Sequence, residues 1–165
     1  MPEGQRGPLA VYPGTFDPVT NGHIDIIQRS LHMFGRLVVA VASRPNKPVL
    51  FNLKERVEMM REATRRLPGV EVEAFDGLLV RYLRAKKAVA IIRGLRAVSD
   101  FEYELQMALM NRRLEPRVET IFMMPSEEYS YLTSSVVKEV AGLGGQLRGL
   151  VVPAVARRLK EQFTR

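Results

Sequence analysis

The sequence contains no cysteine. That absence excludes a disulfide framework, a thiolate zinc site and a thiol nucleophile, and it removes the main compositional argument for secretion. The opening stretch MPEGQRGP holds no apolar segment that could serve as a signal or anchor, so a cytoplasmic, soluble protein is expected. Two familiar nucleotide motifs are also missing. No G-x-x-x-x-G-K-[ST] occurs, and no G-x-G-x-x-G follows the first apolar run, which removes support for Walker-type hydrolysis and for hydride transfer. Internal repeats and low-complexity segments are absent as well.

What is present suits one ordinary domain. The 165 residues are 46% hydrophobic and 26% charged, and a chain of this size buries roughly 70% of the surface its unfolded form exposes. Residues 1–8 read as a flexible extension and 9–165 as a single domain. With 25 Lys+Arg against 18 Asp+Glu the formal charge is +7, which points to anionic partners. The basic residues are scattered in pairs, such as Arg65 with Arg66 and Arg112 with Arg113, without a basic tail or aromatic interleaving. A dedicated nucleic-acid module is therefore not expected, nor a membrane partner.

Short β-rich runs alternate with helical periods. Leu9–Tyr12, Leu37–Ala42, Val70–Phe75, Ala88–Ile92 and Thr120–Met124 read as five strands, the first broken by Pro13-Gly14. Between them, Ile24, Ile27, Leu31 and Phe34 recur at helical spacing. Asn52 and Glu55 predict a capping box for a second helix reaching Arg66. Leu78–Lys86 forms a third, and a long helix capped by Ser99 or Asp100 runs through Leu114 with Leu105, Met107, Leu109 and Met110 partly buried. The hydroxyls at 134 and 135 open a helix that the glycines after Val140 end, and Pro153 starts a closing helix to Phe163. The methionines at 59, 60, 107, 110, 123 and 124 read as core. Such alternation specifies an α/β fold, a Rossmann-like doubly wound five-stranded parallel sheet with helices on both faces. If its order is 3-2-1-4-5, ligands sit at the carboxyl ends of the first and fourth strands.

The motifs fall at those ends. The loop Tyr12-Pro13-Gly14-Thr15-Phe16-Asp17-Pro18-Val19-Thr20-Asn21-Gly22-His23 delivers a histidine into the first turn of a helix, where free N–H groups and the helix dipole attract anions. Thr15 brings a hydroxyl to the same mouth. His32 lies nine residues beyond His23, near the opposite side of the helix at about 100° per residue, and does not join it. Arg93-Gly94-Leu95-Arg96 follows the fourth strand, and its two arginines could clamp a polyphosphate or simply be solvated. Glu104 and Asn111 share a helix face and suit ribose or base, exposed polarity being the equal alternative. Lys47 is a weaker candidate. The stretch from Ser126 to Ser135, with Tyr129, Ser130, Tyr131, Leu132, Thr133 and Ser134, brings hydroxyls beyond the one that capping needs to another helix start.

T-F-D-P-V-T-N-G-H at 15–23, I-R-G-L-R at 92–96, D-F-E-Y-E at 100–104 and L-T-S-S-V-V-K-E at 132–139 together resemble the bacterial phosphopantetheine adenylyltransferases of the nucleotidylyltransferase superfamily. The likeness runs from Leu9 to the closing helix. It implies transfer of the adenylyl group of ATP, bound with Mg²⁺, to 4′-phosphopantetheine, giving dephospho-coenzyme A and pyrophosphate. By the same resemblance His23 stabilises the transition state and Thr15 holds the attacking phosphate. Lys47 and Arg93 position the acceptor, Leu79 lines its channel, and Arg96 acts with Lys47 and Thr15 in catalysis. The ATP positions that match are Thr15, Phe16, His23, Gly94, Leu95, Arg96, Glu104 and Tyr129 to Ser135. A homohexamer and feedback by coenzyme A are also family expectations. The chain departs from the pattern in its first eight residues and in Thr133, where many members carry Ser. Related enzymes acting on nicotinate mononucleotide usually carry Arg where Lys138 stands.

Overall fold

The computed structural model describes residues 7–96 and 98–164, the side chains at 98 and 99 excepted. Of the expected 1–8 extension, residues 1–6 lie outside the described residues. Strands β1 (Leu9–Gly14), β2 (Arg36–Ala42), β3 (Val70–Phe75), β4 (Ala90–Gly94) and β5 (Glu119–Met123) alternate with helices α1 (Asn21–Phe34), α2 (Leu53–Thr64), α3 (Leu79–Lys86), α4 (Val98–Leu114), α5 (Ser134–Gly142) and α6 (Pro153–Phe163). All strand pairs are parallel, in the order β3-β2-β1-β4-β5. The expected α/β class and strand order hold.

Because side chains alternate along a strand, β1 and β2 feed two separate cores. Ala10, Tyr12, Leu37, Val39 and Val41 pack under Ile26 and Ile27 of α1, Val57 and Met60 of α2, Val137 of α5 and Val155 of α6. Leu9, Val11, Val38 and Ala40 pack on the other face with Val80 and Leu83 of α3. Val38 and Val39 are thus both buried, each contributing about 1.5 to 3 kcal/mol, and the run shows no polar alternation because both faces are covered.

The boundaries differ from expectation where polar groups find distant partners. β1 does not break at Pro13-Gly14 but pairs with β2 as far as Gly14. Leu9 carries its carbonyl on the β4 side, accepting from Val89 N–H. The period of two puts Pro13 on that side as well, beyond Val11 where pairing with β4 ends, so its missing N–H breaks no ladder. β4 starts two residues late, since Lys87 takes φ 55° and Ala88 N–H still bonds back to Leu83. It then continues through Arg93 and Gly94, paired with Phe122 and Met123. β5 ends one residue early, because the carbonyl of Met124 turns to Arg29.

α4 is the larger correction. Leu105, Met107, Leu109 and Met110 are exposed rather than partly buried, and Met107, Met110 and Met124 are not core. Met59, Met60 and Met123 are. The inward stripe of α4 is instead Asp100, Glu104, Ala108 and Asn111, four residues at helical spacing of which three are polar. The helix begins at Val98, which places Asp100 inside the first turn; the side chain of Ser99 lies outside the described residues.

Candidate active site

β1 and β4 pair only at Ala10 with Ala90 and Val11 with Ile91. Beyond them the strands part, at the point where strand order reverses, and a cleft of about 660 Å³ opens there. Gly94, on the cleft lining, packs closely against α1, where a Cβ would stand 2.9 Å from Ile26 Cδ1 and that side-chain end would have to shift.

His23 enters the cleft from the first turn of α1, locked by a capping box. Thr20 is the N-cap, its Oγ1 accepting from His23 N–H while His23 Nδ1 accepts from Thr20 N–H at 2.9 Å. A backbone amide can only donate, so Nδ1 carries no proton and the neutral ring holds its proton on Nε2. Phe16, at φ 52° in the left-handed region, is buried and meets the imidazole edge to face at 5.0 Å. A non-glycine residue there stores about 1 to 3 kcal/mol of strain, which packing against Tyr12 and His23 holds in place. Burial, with the charges of Arg96 and Lys47, drives the His23 pKa down to about 3. The ring therefore presents a neutral Nε2–H donor across the ordinary pH range. Burial also raises the Tyr12 pKa, so that phenol stays protonated.

The anion-attracting start of α1 is narrower than the sequence suggests. Asn21 N–H is taken by the carbonyl of Leu150 at 2.9 Å and His23 N–H by Thr20, leaving the Gly22 N–H on the cleft wall without an acceptor among the described residues. A second helix start faces it. Thr133 caps α5, accepting from Val136 N–H. The hydroxyl cluster is less idle than expected, because Ser134 donates to the carbonyl of Pro18 at 2.8 Å and Ser130 to that of Glu127 at 2.9 Å. Ser135 remains exposed on the cleft.

Charge in the cleft is unbalanced. Arg44, Lys47, Arg93, Arg96 and Lys138 line it against Asp17, Asp100 and Glu104. Each of those carboxylates is engaged. Glu104 holds Arg93 in a two-point pair, Lys138 meets Asp17 at 2.8 Å, and Arg96 lies 3.7 Å from Asp100. Arg93 sits within β4, so the two arginines do not form a symmetric clamp: Arg93 is part-buried and satisfied, and Arg96 stands exposed at the lip. Lys47 has no carboxylate partner among the described residues.

Of the expected site residues, Thr15, Phe16, His23, Lys47, Leu79, Arg93, Gly94, Arg96, Glu104, Tyr129, Leu132, Thr133, Ser134 and Ser135 all border this cleft. Leu95, Ser130 and Tyr131 do not. Leu95 directs its N–H to the carbonyl of Met123 at 2.9 Å, and Tyr131 is 64% exposed. His32 is exposed and apart, as expected. Sequence reasoning gives no role to Asp17 or Arg56, and it names Lys138 only where related enzymes acting on nicotinate mononucleotide usually carry Arg. Asp17 and Lys138 lie inside quoted motifs, and Lys138 stands one turn after Ser134 on the same face of α5. Arg56 carries no such signal.

A doubly wound sheet with two helix starts and a cation-rich cleft at its switch point defines a class, the nucleotide-handling α/β enzymes. The family model for cytidylyltransferase-like proteins matches residues 11–140. The phosphopantetheine adenylyltransferase of Moorella thermoacetica is 56% identical over 155 residues, covering 94% of this chain and 97% of that one. That of Caldanaerobacter subterraneus is 57% identical with the same coverage. The fold is shared with a protein assigned as a nicotinate-nucleotide adenylyltransferase from Vibrio parahaemolyticus, at a TM-score of 0.71 and 14% identity over 95% of this chain and 94% of that one. The chain is a nucleotidyltransferase and belongs to the phosphopantetheine adenylyltransferase family. No helix among the described residues is long and apolar enough to cross a membrane.

Proposed function

We propose that this enzyme transfers the adenylyl group of ATP to 4′-phosphopantetheine, releasing pyrophosphate and giving dephospho-coenzyme A, with no covalent enzyme intermediate. An oxygen of the acceptor phosphate attacks the α-phosphorus, and the bond from that phosphorus to the bridging oxygen of the β-phosphate breaks in line. The observation that carries this reading is the neutral His23 Nε2–H held beside a surplus of cations in one cleft. A fixed donor aimed at charge that develops on the α-phosphate is worth about 3 to 4 kcal/mol. Holding two phosphorylated reactants in register contributes about 7 to 11 kcal/mol.

Thr15 holds the attacking phosphate, Lys47 and Arg93 orient it, and Leu79 lines the path of the pantetheine arm. Gly94, Leu95, Arg96, Glu104 and the stretch from Tyr129 to Ser135 take ATP, the triphosphate lying toward Ser135, Arg96 and the open N–H of Gly22. No group of three His, Cys, Asp or Glu side chains among the described residues could hold a metal, and the cleft carboxylates are engaged. Mg²⁺ bound with ATP would offset charge on the leaving pyrophosphate, and Ser135, Arg96 and the Gly22 N–H border the space that the triphosphate would take. The exposed apolar residues of α4, including Leu109 and Met110, support self-association toward the family's hexamer.

The test is pyrophosphate release from MgATP with and without 4′-phosphopantetheine, run beside a panel of other phosphorylated acceptors. Release that depends on phosphopantetheine is the expected result. Folded protein that releases none, or that prefers nicotinate mononucleotide, would overturn the reading.

A further inference from the structure

Arg56 is one of the largest side chains in the molecule to be fully buried, at 1% exposure. Its guanidinium meets no carboxylate within ion-pair distance among the described residues. It donates only to main-chain carbonyls: Nη1 to Thr15 and to Ala42, each at 2.9 Å, and Nε to Phe51 at 3.1 Å. Burial holds the Arg56 pKa below its usual range, and the charge of Asp17, not in direct ion-pair contact, offsets this only in part; burying a charge without a direct partner is unfavourable, so a side chain kept there has work that a neutral core residue would not do.

The three carbonyls identify that work. Ala42 ends β2 and Phe51 precedes the cap of α2, so they are the two ends of the exposed segment that carries Lys47. Thr15 belongs to the opposing loop after β1. One rigid planar fork thus joins both ends of the Lys47 segment to the backbone of Thr15. Asp17 fastens the same junction from the other side, accepting from the N–H groups of Leu50 and Phe51 at 2.8 and 2.9 Å. Arg56 makes no hydrogen bond to the Gly94–Arg96 strand end or the 129–135 stretch, whereas Asp17 also meets Lys138 of α5 at 2.8 Å.

We propose that Arg56 is a positioning residue that acts first on the acceptor half of the cleft: it fixes the span between Lys47 and Thr15, whose expected ATP contact is one among many from the Gly94–Arg96 and 129–135 segments, to which Arg56 makes no hydrogen bond. This rests on the acceptor roles assigned above to Thr15 and Lys47. A lysine in its place keeps the charge but not the fork, so Arg56→Lys and Arg56→Met both release the span.

The experiment compares both variants with the parent enzyme, after circular dichroism and thermal melting confirm a folded chain. The expected result is a rise of at least tenfold in KM for 4′-phosphopantetheine with a fall in kcat, while Kd for a non-hydrolysable ATP analogue stays within threefold. A Lys47→Ala background should absorb most of the KM effect, because the two residues act through one another. Should neither variant fold, Asp17→Asn, which loosens the same Leu50–Phe51 stretch, must give an acceptor defect beyond that of Lys138→Ala, the control for the ion pair that Asp17 also makes. Equal losses for both substrates, an acceptor KM within twofold of the parent, or additive effects with Lys47→Ala would overturn the proposal. Acceptor-dependent turnover by the parent enzyme, measured first, separates failure of this inference from failure of the functional reading.

Discussion

Glu104 grips Arg93 with both carboxylate oxygens, at 2.9 Å to Nε and 2.6 Å to Nη2, while the remaining Nη1 donates to the carbonyl of Pro13 at 3.0 Å. The side chain thus ties β4 to β1 just past the point where their own pairing stops. Glu104→Ala leaves the guanidinium part-buried with one neutral acceptor, a change expected to cost about 1 to 3 kcal/mol once the partial exposure of Arg93 is discounted. Since the pair joins an acceptor residue to a nucleotide residue, KM should rise for both substrates. Urea melts and initial rates check this, and an unchanged acceptor KM would show that Arg93 keeps its place unaided.

The capping box of α1 separates the two tasks of His23. Glutamine can accept the Thr20 N–H from the same helical position but lacks the imidazole donor. His23→Gln should therefore lower kcat at least about a hundredfold with a loss of under about 1 kcal/mol in stability. His23→Ala should lose the catalytic factor and about 1 kcal/mol of helix capping as well. In both, ATP affinity changes far less than kcat. A drop in affinity equal to the drop in kcat would assign His23 to ground-state binding.

The same ring sets a pH dependence. With a folded pKa of about 3 against 6.5 for a free imidazole, the unfolded chain binds a proton between those values that the native state does not. Stability from this residue is therefore full above about pH 6.5 and declines as pH falls toward 3. His23→Gln should flatten that acid limb of a stability-against-pH curve. Turnover should show no His23 ionisation between about pH 5 and 8, and an inflection near 6.5 that vanishes on substitution would mean that the ring titrates as if exposed.

How far these relationships could be read from the chain depends on how local they are. The Asn52 and Glu55 capping box was legible because both halves lie within one turn, and the parallel α/β class followed from alternation and the handedness of crossovers, which leave the strand order open among doubly wound sheets. The end of β4 was not. Arg93 stops the apolar run, yet the ladder continues because Glu104, on the next helix, satisfies the charge. Asp17 and Lys138 meet across 121 positions, and Arg56 finds its carbonyls on three segments, so no periodicity announces them. On α4 the pattern misleads for a different reason: apolar residues on nearly every side leave the inward face undefined, and the cleft claims the polar stripe.

That inversion of α4 carries its own consequence. Leu105 and Leu109 stand with Phe101 on one flank of the helix and Met110 and Leu114 with Tyr103 on the other, at about 100° per residue; all are more than a third exposed, and exposed apolar flanks of this kind mark an interaction surface. A second copy of the chain is the occupant proposed above, and sedimentation velocity reads it directly. The parent enzyme should run at a multiple of its 18.7 kDa, and Leu109→Glu with Met110→Glu should shift it toward the monomer. Because Glu104 and Asn111 project inward from the same helix, loosening these flanks should also raise KM for ATP. A parent protein that sediments as a monomer at tens of micromolar would remove self-association as the reason these side chains are outside.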